Sequence, residues 1–173
     1  GSAAAHTVPL PVTQEGATTI DYSAIDAVGN RCATETVTVR LDKTAPNTVD
    51  DASSEWTSAD ATVSLVPEDA LSGVVRTRYR VGPTASQDYA GPIRVSAEGT
   101  TEVLYWSVDA AGNVEEPESA TVRIDKSAPV VSLSPAASSA VGSATFTVSA
   151  LDPLSGVASV WCAVDGDPAE DTA

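Results

Sequence analysis

Histidine, cysteine, methionine and lysine are scarce in this chain. One His (His6), two Cys (Cys32 and Cys162), two Lys (Lys43 and Lys126) and no Met serve 173 residues. A standard zinc site takes about four nitrogen or sulfur ligands, and a single His with two Cys 130 positions apart cannot assemble one from this chain alone. Nucleophilic catalysis of the histidine-assisted kind would have to rest on His6, near an end expected to fray. Basic residues are also scarce: nine Lys and Arg face 24 Asp and Glu, a formal net charge of -15. That balance excludes a nucleic-acid binder, because phosphate contacts need clustered cations. No apolar run approaches the roughly 20 residues that span a bilayer. The chain opens Gly1-Ser2-Ala3-Ala4-Ala5, with neither an initiator Met nor a signal-peptide pattern, and reads as a piece of a longer precursor.

What is present points to strands. Thr, Ser, Val and Ala dominate, and Gly and Pro number 11 each. Short Val/Thr/Ile runs bounded by Gly, Pro, Asn and Asp are strand-and-turn signals, so the expected fold class is all-β.

Repetition organises these runs. A shift of 83 residues aligns 11–46 with 94–129 without a gap, at 17 identities in 36 positions. The same shift aligns 61–82 with 144–165, at 8 identities in 22. The reading is a tandem array in which 1–45 is the second half of a repeat, 46–128 a complete repeat and 129–173 a first half.

Alternation places the strands of the complete repeat. Val63 and Leu65 alternate with Thr62 and Ser64. Val75, Thr77, Tyr79 and Val81 alternate with Arg76, Arg78 and Arg80. Ile93 and Val95 follow a turn at Gly91-Pro92. Val103, Tyr105 and Ser107 alternate with Leu104 and Trp106, and Ala120, Val122 and Ile124 with Thr121 and Arg123. Asp21 and Ser23 stand where Leu104 and Trp106 stand, which assigns that face to solvent. Six or seven half-buried strands in about 80 residues predict a small antiparallel sandwich.

Two motifs recur: Asp26-Ala27-Val28-Gly29-Asn30 with Asp109-Ala110-Ala111-Gly112-Asn113, and Asp42-Lys43-Thr44-Ala45-Pro46 with Asp125-Lys126-Ser127-Ala128-Pro129. Together with two Asp-x-Leu-Ser-Gly-Val stretches, at Asp69 and Asp152, they resemble the bacterial Ig-like repeats of large secreted and surface-anchored proteins. The resemblance covers nearly the whole chain. It implies tandem Ig-like antiparallel β-sandwich repeats in an extracellular or cell-surface protein. The function it implies is a non-catalytic structural or adhesive stalk; the alternative is an accessory spacer or carbohydrate-binding module beside a secreted hydrolase. Pilin-like Ig domains crosslink a core Lys to Asn, and the two lysines here sit at repeat joints, so no such bond is expected.

Each motif admits a plain and a sharper reading. Between two strands, Asp and Asn side chains that bond back to the backbone and a Gly at positive φ make a turn. The sharper reading is structural calcium held by Asp26, Asn30, Asp109 and Asn113. The Asp69 and Asp152 stretches read as turns closed by Gly73 and Gly156, with Val74 and Val157 entering the next strand. Pro46 and Pro129 keep the preceding Ala out of the helical region and make stiff joints. Arg76, Arg78 and Arg80 form the one basic stripe, expected beside the strand of Trp106, where Arg78 or a neighbour stacks on the ring. That stripe is either a solvated face or a patch contacting a glycan, an anion or a host surface protein; Trp161, at the Arg78 position, also points outward. Cys162 matches Tyr79 and Cys32 matches Glu115. Half-sandwiches expose core faces, so the two half-repeats are expected to complete one another between molecules, bringing Cys32 and Cys162 into one domain.

Overall fold

A computed structural model describes residues 7–135, 142, 145–163 and 170–171. Among the described residues the chain is all-β, with no helix and several antiparallel sheets, an arrangement consistent with a β-sandwich. Strands β1 (Gly16–Tyr22) and β2 (Glu35–Leu41) form an N-terminal hairpin, and β12 (Val130–Pro135) pairs with β13 (Phe146–Leu151) near the other end. Two short strands follow, β14 (Trp161–Cys162) and β15 (Glu170–Asp171).

The nine strands between the hairpins hold the core. β3 (Asn47–Asp50) pairs with β6 (Leu65–Glu68), and β5 (Ala61–Val63) with β9 (Ile93–Val95). A five-stranded sheet runs in the order β4 (Trp56–Thr57), β11 (Glu118–Ile124), β10 (Gly99–Asp109), β7 (Val74–Val81), β8 (Gln87–Asp88). Strand pleat decides who is buried: Val103, Tyr105, Ser107 and Asp109 line the inner face of β10, and Ala120, Val122 and Ile124 that of β11. Val63, Leu65, Ile93 and Val95 close the core from the facing strands.

Four details depart from the expected strands. The run through Val63 and Leu65 is two strands, not one. Asp51 and Ser64 exchange hydrogen bonds there (Ser64 N–H to Asp51 Oδ1, 2.6 Å; Asp51 N–H to Ser64 O, 3.2 Å), so the chain changes partner from β9 to β3 between β5 and β6. Val75 is not a core residue: it is 63% exposed, because a β-bulge shifts the β7–β10 register between Val108 and Asp109. Strand β4 joins β11 in parallel, the one parallel pair among the described residues. On the C-terminal side, Val157 lies outside any strand, unlike Val74, and β14 starts only at Trp161.

A buried polar knot ties β3 to β10. The Glu115 carboxylate, 7% exposed, accepts hydrogen bonds from the Thr48 amide, the Thr48 hydroxyl (2.6 Å) and the Ser107 amide (2.8 Å). The Ser107 hydroxyl bonds those of Thr48 (2.7 Å) and Thr77 (2.8 Å). Nearby, the Tyr105 hydroxyl donates to Asp50 (2.6 Å), and burial, with Asp50 second, pushes that phenol well above its ordinary range. A buried amide stripped of its acceptor costs about 1–3 kcal/mol. Glu115→Ala strips two. Urea denaturation should therefore show a loss of at least about 2 kcal/mol for Glu115→Ala, against a change within about 0.5 kcal/mol for its exposed neighbour Glu116→Ala.

Candidate functional site

Three of the recurring motifs meet near Asp42. In Asp109–Asn113, Asp109 Oδ1 accepts the Asn113 amide (2.8 Å), its Oδ2 accepts Asn113 Nδ2 (2.7 Å), and Gly112 takes φ +94°. Asp26–Asn30 repeats these contacts at 2.8 and 2.7 Å, with Gly29 at φ +97°. In the stretch after Asp69, Oδ1 accepts the amides of Leu71 (3.2 Å) and Gly73 (2.6 Å); Asp152 does the same for Leu154 (2.9 Å) and Gly156 (3.1 Å). Each Asp therefore satisfies the turn it begins.

The Asp-Lys-Thr/Ser segments then reach residues far along the chain. Asp42 Oδ1 accepts the Thr44 amide (3.1 Å) and its Oδ2 the Ser72 amide (3.0 Å), reaching across 30 residues. Asp125 does likewise with Ser127 (3.0 Å) and Ser155 (3.0 Å). Behind each joint a glutamate holds the lysine backbone: Lys43 N–H donates to Glu15 and Lys126 N–H to Glu98, both at 2.7 Å. Both ammonium groups donate to carbonyls of the preceding segment, Lys43 to Thr13 (2.7 Å) and Lys126 to Ser96 (2.8 Å). At the first joint Asn113 Nδ2 also reaches the Thr44 carbonyl (3.3 Å). An open cleft of about 490 Å³ adjoins each joint, one beside Asp42 and Ser72, the other beside Asp125 and Ser155.

One consequence is a carboxylate cluster. Asp42, Asp69 and Asp109 each bring an oxygen within 4.8 Å of the others. Of the residues expected to ligate calcium, Asp109 is in this cluster. Asn113 spends its amide on Asp109 and Thr44, and Asp26 and Asn30 lie on the exposed turn after β1, bonded to each other. The convergence of Asp42 and Asp69 on Asp109 escapes one-dimensional reading; the signal was there, since each Asp is retained across the 83-residue shift.

The electrostatics favour ionised groups. At Asp109, burial opposes ionisation, yet the Asn113 side chain and backbone together hold its carboxyl below the ordinary 3.8. Ser72 chiefly lowers Asp42, Ser155 Asp125, and the Asn30 side chain Asp26. Carboxyls held this way are acceptors at neutral pH, the reverse of the raised pKa that a carboxylic general acid needs.

The basic stripe lies where expected. Arg78 stands opposite Trp106 in the β7–β10 ladder, with its guanidinium carbon 5.8 Å from the ring centroid. The same guanidinium donates to the Ser86 carbonyl (3.2 Å) and lies 3.4 Å from Asp88. Arg80 stands opposite Leu104, and Arg76, which is exposed, opposite Val108. Trp161 is 63% exposed. Cys32 and Cys162 are free thiols.

No protein-family model and no curated protein matches this chain. Among the described residues no helix is long and apolar enough to cross a membrane.

The lowered carboxyl pKa values fix a pH dependence. The unfolded chain binds protons first, so these groups stabilise the fold above about 3.8 and lose that contribution as pH falls through their folded values. Melting temperature should stay level from neutrality to about pH 5 and drop below about pH 4, and Asp125→Asn should make that drop shallower.

Proposed function

We propose that this chain is a non-catalytic segment of tandem Ig-like repeats with an 83-residue period, acting as a semi-rigid structural or adhesive stalk of a bacterial extracellular or surface protein. The observation that supports it is the likeness of the two joints. Asp42 and Asp125 make the same pair of hydrogen bonds, onto Ser72 and Ser155, and Glu15 and Glu98 brace the same lysine amide from behind. A joint gripped from both sides, with Pro46 and Pro129 limiting the backbone, transmits orientation from one unit to the next. A linker that merely tethers has no use for such bonds.

The alternative, an accessory spacer or carbohydrate-binding module beside a secreted hydrolase, draws its support from Arg78 on Trp106 with Arg76 and Arg80 alongside. Aromatic faces and fixed guanidinium groups suit sugars and anions. The internal partners of Arg78, Asp88 and Ser86, favour the solvated-face reading and with it the stalk.

Within the stalk reading, structural calcium belongs at the Asp42 joint, where three carboxylates converge, more than at Asp26. Melts recorded in EDTA and in millimolar calcium test this. A higher melting temperature in calcium supports an ion, and identical melts leave the joint to its hydrogen bonds.

Joint stiffness is tested by backbone nitrogen relaxation. Amides of β1–β2 should tumble with the same correlation time as those of β10–β11 in the native chain, and Asp42→Ala should shorten the hairpin's value alone. Independent tumbling in the native chain would contradict a stalk.

A further inference from the structure

The outer face of the five-stranded sheet carries a row of three arginines. In the β7–β10 ladder Arg80 stands opposite Leu104, Arg78 opposite Trp106 and Arg76 opposite Val108. Strand geometry spaces alternate residues by about 6.8 Å, so the row is about 14 Å long. Leu104, Trp106 and Val108 are half-buried and make a parallel apolar row beside it. A chain of net charge -15 places three of its nine basic residues in this one short stretch of strand.

The acids of the fold leave most of that row unpaired. Among the described residues the ion pairs engage Arg78, Arg94 and Lys126, and neither Arg76 nor Arg80 has one. Asp88 lies 3.4 Å from Arg78 Nε, while Glu102, two residues before Leu104 on the same face of β10, pairs with no arginine. The Nε–H groups of Arg78 and Arg80 are buried and find no hydrogen-bond acceptor among the described residues. Other cations do find one: Arg94 and Lys126 share Asp60, Arg123 donates to the Ser54 carbonyl and Arg31 to Ser23. A buried donor without an acceptor is costly. Nε and Nη together form the edge on which a guanidinium takes an oxyanion two-pronged. Arg78 is engaged by Asp88 and Ser86; Arg76 and Arg80, on either side of it, are not.

We propose that this face binds an acidic polysaccharide, with its carboxylate or sulfate groups on Arg76 and Arg80 and the C–H faces of its rings on Trp106 and Leu104. Arg78, 5.8 Å from the Trp106 centroid, holds the ring between them. Charge spacing selects this occupant. A nucleic-acid duplex carries one charge per about 1.7 Å, far more than three arginines neutralise, and the rest of a chain of net charge -15 repels it. A polysaccharide with one anion per sugar, or per pair of sugars, sets its charges apart as the row does. An acidic peptide gains no main-chain bonds here, because β7 and β10 spend theirs within the sheet and peptide strands add at sheet edges. The inference rests on the adhesive side of the stalk reading, and the stiffness of the joints does not depend on it.

Titration calorimetry on the full chain at low ionic strength provides the test. The probes are polygalacturonate for carboxylates, heparin for sulfates, dextran as a neutral polymer and polyglutamate as an acidic peptide. At least one of the two acidic polysaccharides should bind, more weakly as salt rises, and the tighter of them names the anion; dextran and polyglutamate should not bind. The double variant Arg76→Gln with Arg80→Gln should lose about tenfold or more in affinity. Arg76→Gln alone, at an exposed position, should lose part of it with an unchanged melt. Arg31→Gln with Arg40→Gln, which removes the same charge outside this sheet, should bind as the native chain does. Silence from both acidic polysaccharides, equal binding of polyglutamate, or equal losses in the two double variants would overturn the assignment, and none of these results bears on how the joints tumble.

Discussion

A β-hairpin has one face it must hide, and it cannot hide that face by itself. Everything settled in this molecule follows from how that face is covered. In the centre, β10 and β11 present Val103, Tyr105, Val122 and Ile124, and the partner strands supply Val63, Leu65, Ile93 and Val95. Coverage then fixes register, because a slip of one residue would turn Val103 and Tyr105 outward and bring Leu104 and Trp106 in. The polar knot at Glu115 adds a second condition: β3 must lie where Thr48 reaches both Ser107 and Glu115. In the β1–β2 hairpin, by contrast, Tyr22 is 55% and Val37 45% exposed.

Polar residues do most of the remaining work, and they do it locally. Asp26, Asp69, Asp109 and Asp152 each bond the amides of the turn they begin, so turns that would leave donors unpaired become rigid corners. Asp42 and Asp125 extend the same chemistry over 30 residues by taking the Ser72 and Ser155 amides. Much of the chain's negative charge is thus structural. It accumulates where strands end, and the cluster of Asp42, Asp69 and Asp109 is what three well-made turns produce when a joint brings them together.

Legibility followed the range of the interaction. Strand alternation is local, and it placed the inner faces of β10 and β11, the outward Trp106 and the Arg78 beside it. The positive φ of Gly29 and Gly112 was equally plain, because an Asp–Gly–Asn turn acts on its immediate neighbours. The bulge that expels Val75 depends on the register of the opposite strand, which no local pattern carries. The change of partner at Ser64 depends on Asp51, 13 residues away. Glu115 looked like one acid among many; its burial comes from Thr48, 67 residues earlier. The candidate site divides in the same way. The Asp–Asn turns were visible as motifs, and their convergence with Asp42 and Asp69 required the fold.

The charge of -15 also governs how copies of this chain meet one another. Like charge spread over turns, joints and outer faces repels neighbouring molecules brought side by side, at ranges up to about a Debye length of 8–10 Å. In the proposed stalk, that repulsion works against lateral clumping of strands such as β1 and β2, whose Tyr22 and Val37 are 55% and 45% exposed.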